Sequence, residues 1–258
     1  MAGNDQSLAL LLEVYAYHHA FKLAKQATGL DPDSLFLLEM LKERRELNVA
    51  YLFDHQEKLK QLETTYGISL LSNAYEEELL ANYIMDLEAK VKTADIIDFV
   101  RAVSPILYRL FLRLAQAKVP NLSDLIHNTK SSQYDTWKFS VMKDSENPFI
   151  QNFLSQKREA KVTSKSLADL IQVTDYGKAI KDSVLQLRQF EKAVRNPLAH
   201  LIKPFDEEEL HRTTGFSSQV FLEQIIFLAQ QAGVSYQTDE FYYDKVNRII
   251  IENQKLNP

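Results

Sequence analysis

Apolar residues recur three and four positions apart along most of this chain, and few residues are present that would interrupt the helices such spacing implies. Leu80, Ile84, Leu87 and Val91 follow that period, and it resumes at Ile96, Val100, Val103, Leu107, Leu110 and Leu114. Side chains spaced in this way fall on one face of an α-helix, and that face must be buried against another element. Only 6 Gly and 7 Pro occur in 258 residues, so turns and sheet corners are scarce and long helices are favoured. No segment alternates as a half-buried strand would, and no fixed-period repeat calls for a solenoid. The expected fold class is all-α.

Local signals divide this helical chain. Residues from about Ser7 to Thr28 read as one helix ending at Gly29, a natural C-cap. Asp31-Pro32-Asp33-Ser34 supplies an acidic start and a first-turn proline for the next helix, which passes through Lys42-Glu43-Arg44-Arg45-Glu46 towards Gly67. Pro105 lies inside the run from Ile96 to Leu114 and should kink or restart that helix. Between about Asn128 and Pro148 the period lapses into a polar stretch with Ser131, Ser132, Gln133, Asp144, Ser145 and Asn147. This lapse is the expected domain boundary, with a helical unit over 1–128 and a second domain over 129–258. Helical patterns return at Pro148 to Arg158, at Ser164 to Val173, and through Ile180, Val184, Leu187, Phe190 and Val194. Asp206-Glu207-Glu208-Glu209 starts another. Helices from about Ser217 to Gln231, capped near Gly233, and from Asp239 to Leu256 complete the chain.

Composition narrows the function. The chain is 45% hydrophobic and 25% charged, as in an ordinary globular protein. With no Cys, disulfides and thiolate zinc sites are impossible, which fits a reducing cytoplasm. No apolar run reaches the roughly 20 residues that span a bilayer, and no signal-peptide pattern opens the chain, so no membrane partner is expected. The net charge is -5 and the pI about 5.7. A protein that grips long nucleic acid along an extended face is usually basic, because its affinity comes from neutralising phosphates. The acidic balance weighs less against a nuclease that holds a few nucleotides in a small cleft.

The stretch that looks most like chemistry is Arg195-Asn196-Pro197-Leu198-Ala199-His200. Pro197 disfavours helical geometry at Asn196, so the helix through Val194 should end or bend there. Asn196 suits the N-cap of a new turn and Pro197 its first position, so Arg195 and His200 can face one cleft. RNA cleavage by the neighbouring 2′-hydroxyl needs a proton removed from the nucleophile, charge stabilised on the phosphorane, and the departing 5′-oxygen protonated. Histidine can move a proton near neutral pH, and arginine offers a fixed fork of donors to phosphate oxygens. On spacing alone the ordinary reading is that Arg195 pairs with a nearby carboxylate and His200 packs or caps.

The string from Glu191 to His200, set between two helices of an all-α chain, resembles the Arg-x4-6-His signature of HEPN ribonucleases. The polar residue straight after the arginine is also typical of them. The longer run through Leu201-Ile202-Lys203-Pro204-Phe205 and Thr213-Thr214-Gly215-Phe216-Ser217 is similar to the C-terminal part of the ancillary HEPN ribonucleases of type III-A CRISPR systems. The preceding helices resemble their intermediate helical domain. The likeness is sharpest from Ile180 to Asn257 and only architectural before Asn128. It implies a helical N-terminal unit followed by a HEPN helical-bundle domain. It implies a homodimer with a composite, metal-independent endoribonuclease site for single-stranded RNA, needing no cofactor and acting in antiviral defence. Arg195 and His200 are then catalytic, and Asn196 assists. Relatives of this kind also carry a CARF domain that senses cyclic oligoadenylate. No βαβ pattern or Gly-rich turn here corresponds to it, so the chain reads as a C-terminal part or a short homologue. A free-standing HEPN toxin ribonuclease and a non-catalytic helical dimerisation module are the alternatives.

Other residues are weaker candidates. Lys157, Arg158, Lys161 and Lys165 form the densest basic cluster of the second half, and the first three are candidates for tracking an RNA backbone. Arg188 precedes Arg195 by two helical turns and should share its face, as a further RNA contact or as half of a salt bridge. His18 and His19 are adjacent and point apart on a helix, so they make a poor metal pair. His55 and His127 read as surface or packing residues, and His211, beside Arg212, as a helix-surface residue or a secondary RNA contact.

Overall fold

The computed structural model describes residues 2–26, 30–127, 135–156, 159–195, 198 and 204–256. They are overwhelmingly helical, as the spacing of apolar residues requires. They form two compact units, one of residues 1–89 with 234–258 and the other of residues 90–233.

The first unit begins with α1 (Ala2–Glu13) and α2 (Tyr17–Gln26), where a single helix is expected. The break is at Tyr15, whose backbone is left-handed at φ 55°, a conformation that costs a non-glycine residue about 1–2 kcal/mol. Tertiary contacts hold it there. The Tyr15 ring meets Phe241 edge-on at 5.4 Å, and its hydroxyl donates to Asp244 at 2.7 Å. The next helix, α3 (Pro32–Arg45), starts as the local signals require: Asp31 accepts from the Ser34 amide at 2.9 Å, and Pro32 opens the first turn. It does not run to Gly67. Two shorter helices follow, α4 (Ala50–Asp54) and α5 (Gln56–Tyr66), and Gly67 ends the second in the left-handed conformation. The first part of α6 (Tyr75–Lys92) and a C-terminal helix over Tyr242–Leu256 complete the unit.

At the centre of this unit lies the fully buried Arg44. Its guanidinium donates to the Leu70 carbonyl and the Glu78 carboxylate, both at 2.7 Å, and to Asn82 Oδ1 at 3.0 Å. The Tyr242 ring covers it at 4.6 Å. Burial disfavours its charge, but Tyr242 and Glu78 more than offset that, so the guanidinium is held more firmly protonated than usual.

The second unit is built around α7 (Ile96–Lys118), whose buried stripe includes Phe99, Val103, Leu107, Leu110 and Leu114. Pro105 neither ends nor restarts it: the helix is continuous through that residue. A 3-10 turn (Leu122–Leu125) leads to β1 (Ile126–His127), which pairs antiparallel with β2 (Thr136–Trp137) in the register Ile126 to Trp137 and His127 to Thr136. The Trp137 amide donates to the Ala160 carbonyl at 2.9 Å, and Thr136 bridges to Lys161. These pairings join residues on either side of the polar lapse to Thr136 and Trp137 within it.

Beyond β2 come α8 (Phe139–Lys143), α9 (Pro148–Ser155), α10 (Ser164–Gln172) and α11 (Lys178–Phe190). Then follow a π-helical turn (Glu191–Arg195), α12 (Glu207–Thr214) and α13 (Ser218–Gln231); the C-terminal helix of the first unit is α14. Side chains cap the starts of α9, α10, α12 and α13. Asn147 accepts from the Phe149 amide at 2.9 Å, Asp206 from the Glu209 amide at 2.9 Å, and Ser217 from the Val220 amide at 3.4 Å. Thr163 and Ser166 form a reciprocal capping box.

Candidate active site

The approach to the motif is a change of helical type. The α-helix through Val184, Leu187 and Phe190 gives way at Glu191 to a π turn that ends at Arg195. A π turn closes its hydrogen bonds one residue later than an α turn, and such turns are rare and found frequently at functional sites. Here it packs against α7 and α12. Phe190 and Val194 are buried, as is Leu198 inside the motif, so the segment is anchored by apolar contacts on both sides of Arg195.

The most informative side chain in the turn is Glu191, only 6% exposed. One carboxylate oxygen accepts from the Ser104 hydroxyl of α7 at 2.6 Å, and the other accepts from the Ser164 hydroxyl at the start of α10 at 2.7 Å. Arg188 also donates to the second oxygen and lies 3.2 Å from the Ser164 hydroxyl. A buried carboxylate costs several kcal/mol unless it is paired and hydrogen-bonded. Glu191 has both, with donors from three helices. Reading the sequence missed this cluster. The available signal was a carboxylate on the apolar stripe Val184, Leu187, Phe190 and Val194, where a solvated charge has no place.

The expected site residues are placed as follows. The backbone of Arg195 closes the π turn, and its side chain lies outside the described residues, as do Asn196 and His200. Lys157 and Arg158 lie outside them too. Lys161 is exposed, and its backbone is held beside Thr136. Arg188 engages Glu191 and Ser164, which is the salt-bridge side of its expected alternatives. Lys165 pairs with Glu159 at 2.6 Å. His211 sits exposed on α12, and its neighbour Arg212 pairs with Glu209. The His18 and His19 rings meet at 5.8 Å, edge to face, and His55 stacks on Tyr51 at 4.2 Å. Among the described residues no three His, Asp or Glu side chains gather as a metal ion would need, and no helix is long and apolar enough to cross a membrane.

Together these features define an all-α protein in which a buried polar cluster braces the helix that leads into an Arg-x4-His segment. A family model of the Cas_Csm6 HEPN domain matches residues 69–251, a span that includes Ser104, Ser164, Glu191 and the whole Arg195 to His200 motif. The chain belongs to that family. Among solved structures it is similar to Csm6 of Enterococcus italicus bound to cyclic hexa-2'-fluoro-hexa-dAMP, with a TM-score of 0.66 and 16% sequence identity. The alignment covers 98% of this chain and 57% of that one, so this chain spans little more than half of its length. At this identity the likeness shows a shared fold. No curated protein matches the chain.

Proposed function

We propose that this chain is a metal-independent endoribonuclease of a type III CRISPR system, cutting single-stranded RNA at a composite site formed where two copies meet. The observation that carries this reading is the position of the motif. Arg195 to His200 lies within the Csm6 HEPN match and begins at the last residue of the π turn. In the proposed reaction Arg195 binds the scissile phosphate and stabilises the charge that develops on it. His200 moves the proton as general acid or base, and Asn196 orients one of the two. Attack of the 2′-oxygen on phosphorus breaks the bond to the 5′-oxygen, leaving a 2′,3′-cyclic phosphate and a 5′-hydroxyl. Lys157, Arg158 and Lys161 enter the proposal as contacts to the RNA backbone, whereas Arg188 enters it as a support of the motif helix. Cyclic oligoadenylate is the proposed regulator, acting through segments other than those of this chain.

The test is cleavage of a fluorescent single-stranded RNA by the parent and by folded Arg195→Ala and His200→Ala variants. Each variant should lose at least about a hundredfold, the usual scale for a general acid or base. Parental cleavage should persist in EDTA, and a 2′-deoxy sugar at the cut site should abolish it. Parental rates in both variants would show that the chemistry lies elsewhere.

A further inference from the structure

Three helices of the second unit converge on one carboxylate next to the motif. Ser104 reaches Glu191 from α7 at 2.6 Å, Ser164 from α10 at 2.7 Å, and Arg188 from the last turn of α11. Bracing of this kind exceeds what a helix end requires. Elsewhere in the unit α-helices end on a backbone cap, as α12 does at Gly215. The cluster also sits where the backbone departs from α geometry, since Glu191 is the first residue of the π turn and Arg195 the last. Fixing the Glu191 side chain therefore fixes the start of a turn whose end carries the proposed phosphate ligand.

Resting on the ribonuclease reading above, we infer that Glu191 is a positioning residue for RNA cleavage, holding the π turn so that Arg195 meets the scissile phosphate in register. It touches no substrate in this role and acts through Arg195. Its two serine partners tie the turn to the long central helix and to α10, and Arg188 balances the buried charge. The effect falls on turnover rather than on binding, because a misplacement of about 1 Å in a catalytic group costs up to about a hundredfold in rate.

The experiment compares Glu191→Gln, Ser104→Ala with Ser164→Ala, Arg195→Ala, His200→Ala and the double variant E191Q/R195A. All are measured in single-turnover RNA cleavage, with thermal melting as the check on folding. Glu191→Gln should lower kcat by about ten- to a hundredfold with KM nearly unchanged. The serine pair, which leaves the ion pair with Arg188 in place, should lower it by about thirtyfold, the scale of two net hydrogen bonds. E191Q/R195A should be no slower than R195A, because a residue acting through Arg195 has nothing left to position. A generally weakened fold would instead slow both backgrounds by the same factor. A folded E191Q with parental kcat, beside dead R195A and H200A, overturns this inference and leaves the ribonuclease assignment standing. R195A and H200A at parental rate, or a parent that cuts no RNA, overturns both. If E191Q does not fold, the serine pair decides: reduced kcat supports the inference and parental kcat overturns it.

Discussion

Each unit of this protein buries a charged cluster, and the two differ in what they brace. In the first unit, Arg44 sits fully enclosed, with Glu78, Asn82, the Leu70 carbonyl and the Tyr242 ring around it. Its partners come from α6, α14 and the loop before α6, and α3 itself ends one residue further on, at Arg45, with Leu47 in the left-handed region. In the second unit, Glu191 is held just as firmly, but the residues that follow it leave α geometry and enter the motif. Buried charge alone therefore does not mark a functional site. What separates the clusters is the chain on their far side: an ordinary helix end at Arg45 in one case, a π turn and an Arg-x4-His segment in the other.

That contrast can be broken or sharpened by measurement. The largest expected effect is on stability. Glu78→Ala strips Arg44 of its carboxylate inside a closed core and should cost about 3–5 kcal/mol in urea unfolding, the scale for orphaning a buried charge. The variant that stays folded should keep its kcat on RNA. A loss of kcat in folded protein would show that the Arg44 cluster serves the site as well, and the distinction between the clusters would collapse.

A second effect is pH dependence, and it falls on both units, since burial also raises the phenols of Tyr108 and Tyr176 in the second. Tyr15, Tyr17, Tyr236, Tyr242 and Tyr243 lie in the first unit, and burial is the leading cause that pushes each phenol up from its ordinary value. For Tyr242 the value is pushed up to about 12. An unfolded phenol ionises near 10, so the unfolded state releases its protons first as pH rises. The stabilisation is complete below about pH 10 and is lost as pH climbs from there towards 12. The urea midpoint should fall over that range, with tyrosinate absorbance at 295 nm rising as the chain unfolds. A flat midpoint would mean that these phenols ionise in place.

The smallest expected effect is no effect. A ligand activates only through differential affinity for two states. Among the described residues the strands are two residues long. Saturating cyclic tetra- or hexa-adenylate should change the cleavage rate of this 258-residue chain by less than about twofold. Strong activation would locate a sensor within these helices.

Much of the scaffold was legible because its signals are local. Asp31 with Pro32, Asp206 and Ser217 start helices where a side-chain acceptor meets free amides, and Gly67 and Gly233 adopt positive φ near helix ends. Long amphipathic runs such as α7 were read correctly even across Pro105, although the continuity there was not. What escaped were features whose stabilising partner is distant in sequence. The turn at Tyr15 depends on Asp244, 229 positions away, and Arg44 depends on Glu78, 34 positions away. Nothing local in the polar lapse after Asn128 shows that Trp137 bonds to Ala160 and Thr136 bridges to Lys161.

By itself, then, the sequence determined the helical class, most helix starts and stops, and the place and chemical type of the candidate motif. Each of these follows from interactions within a turn or two of the chain, or from the side-chain chemistry of six consecutive residues. Only the tertiary structure decided how the helices divide into two units, which charges are buried, and that serines of two other helices join Arg188 and Glu191. Those outcomes depend on groups brought together from 24 to 87 positions apart, such as Arg188 with Ser164 and Glu191 with Ser104. The free energy of burying a charge is set by whichever donors the fold gathers around it.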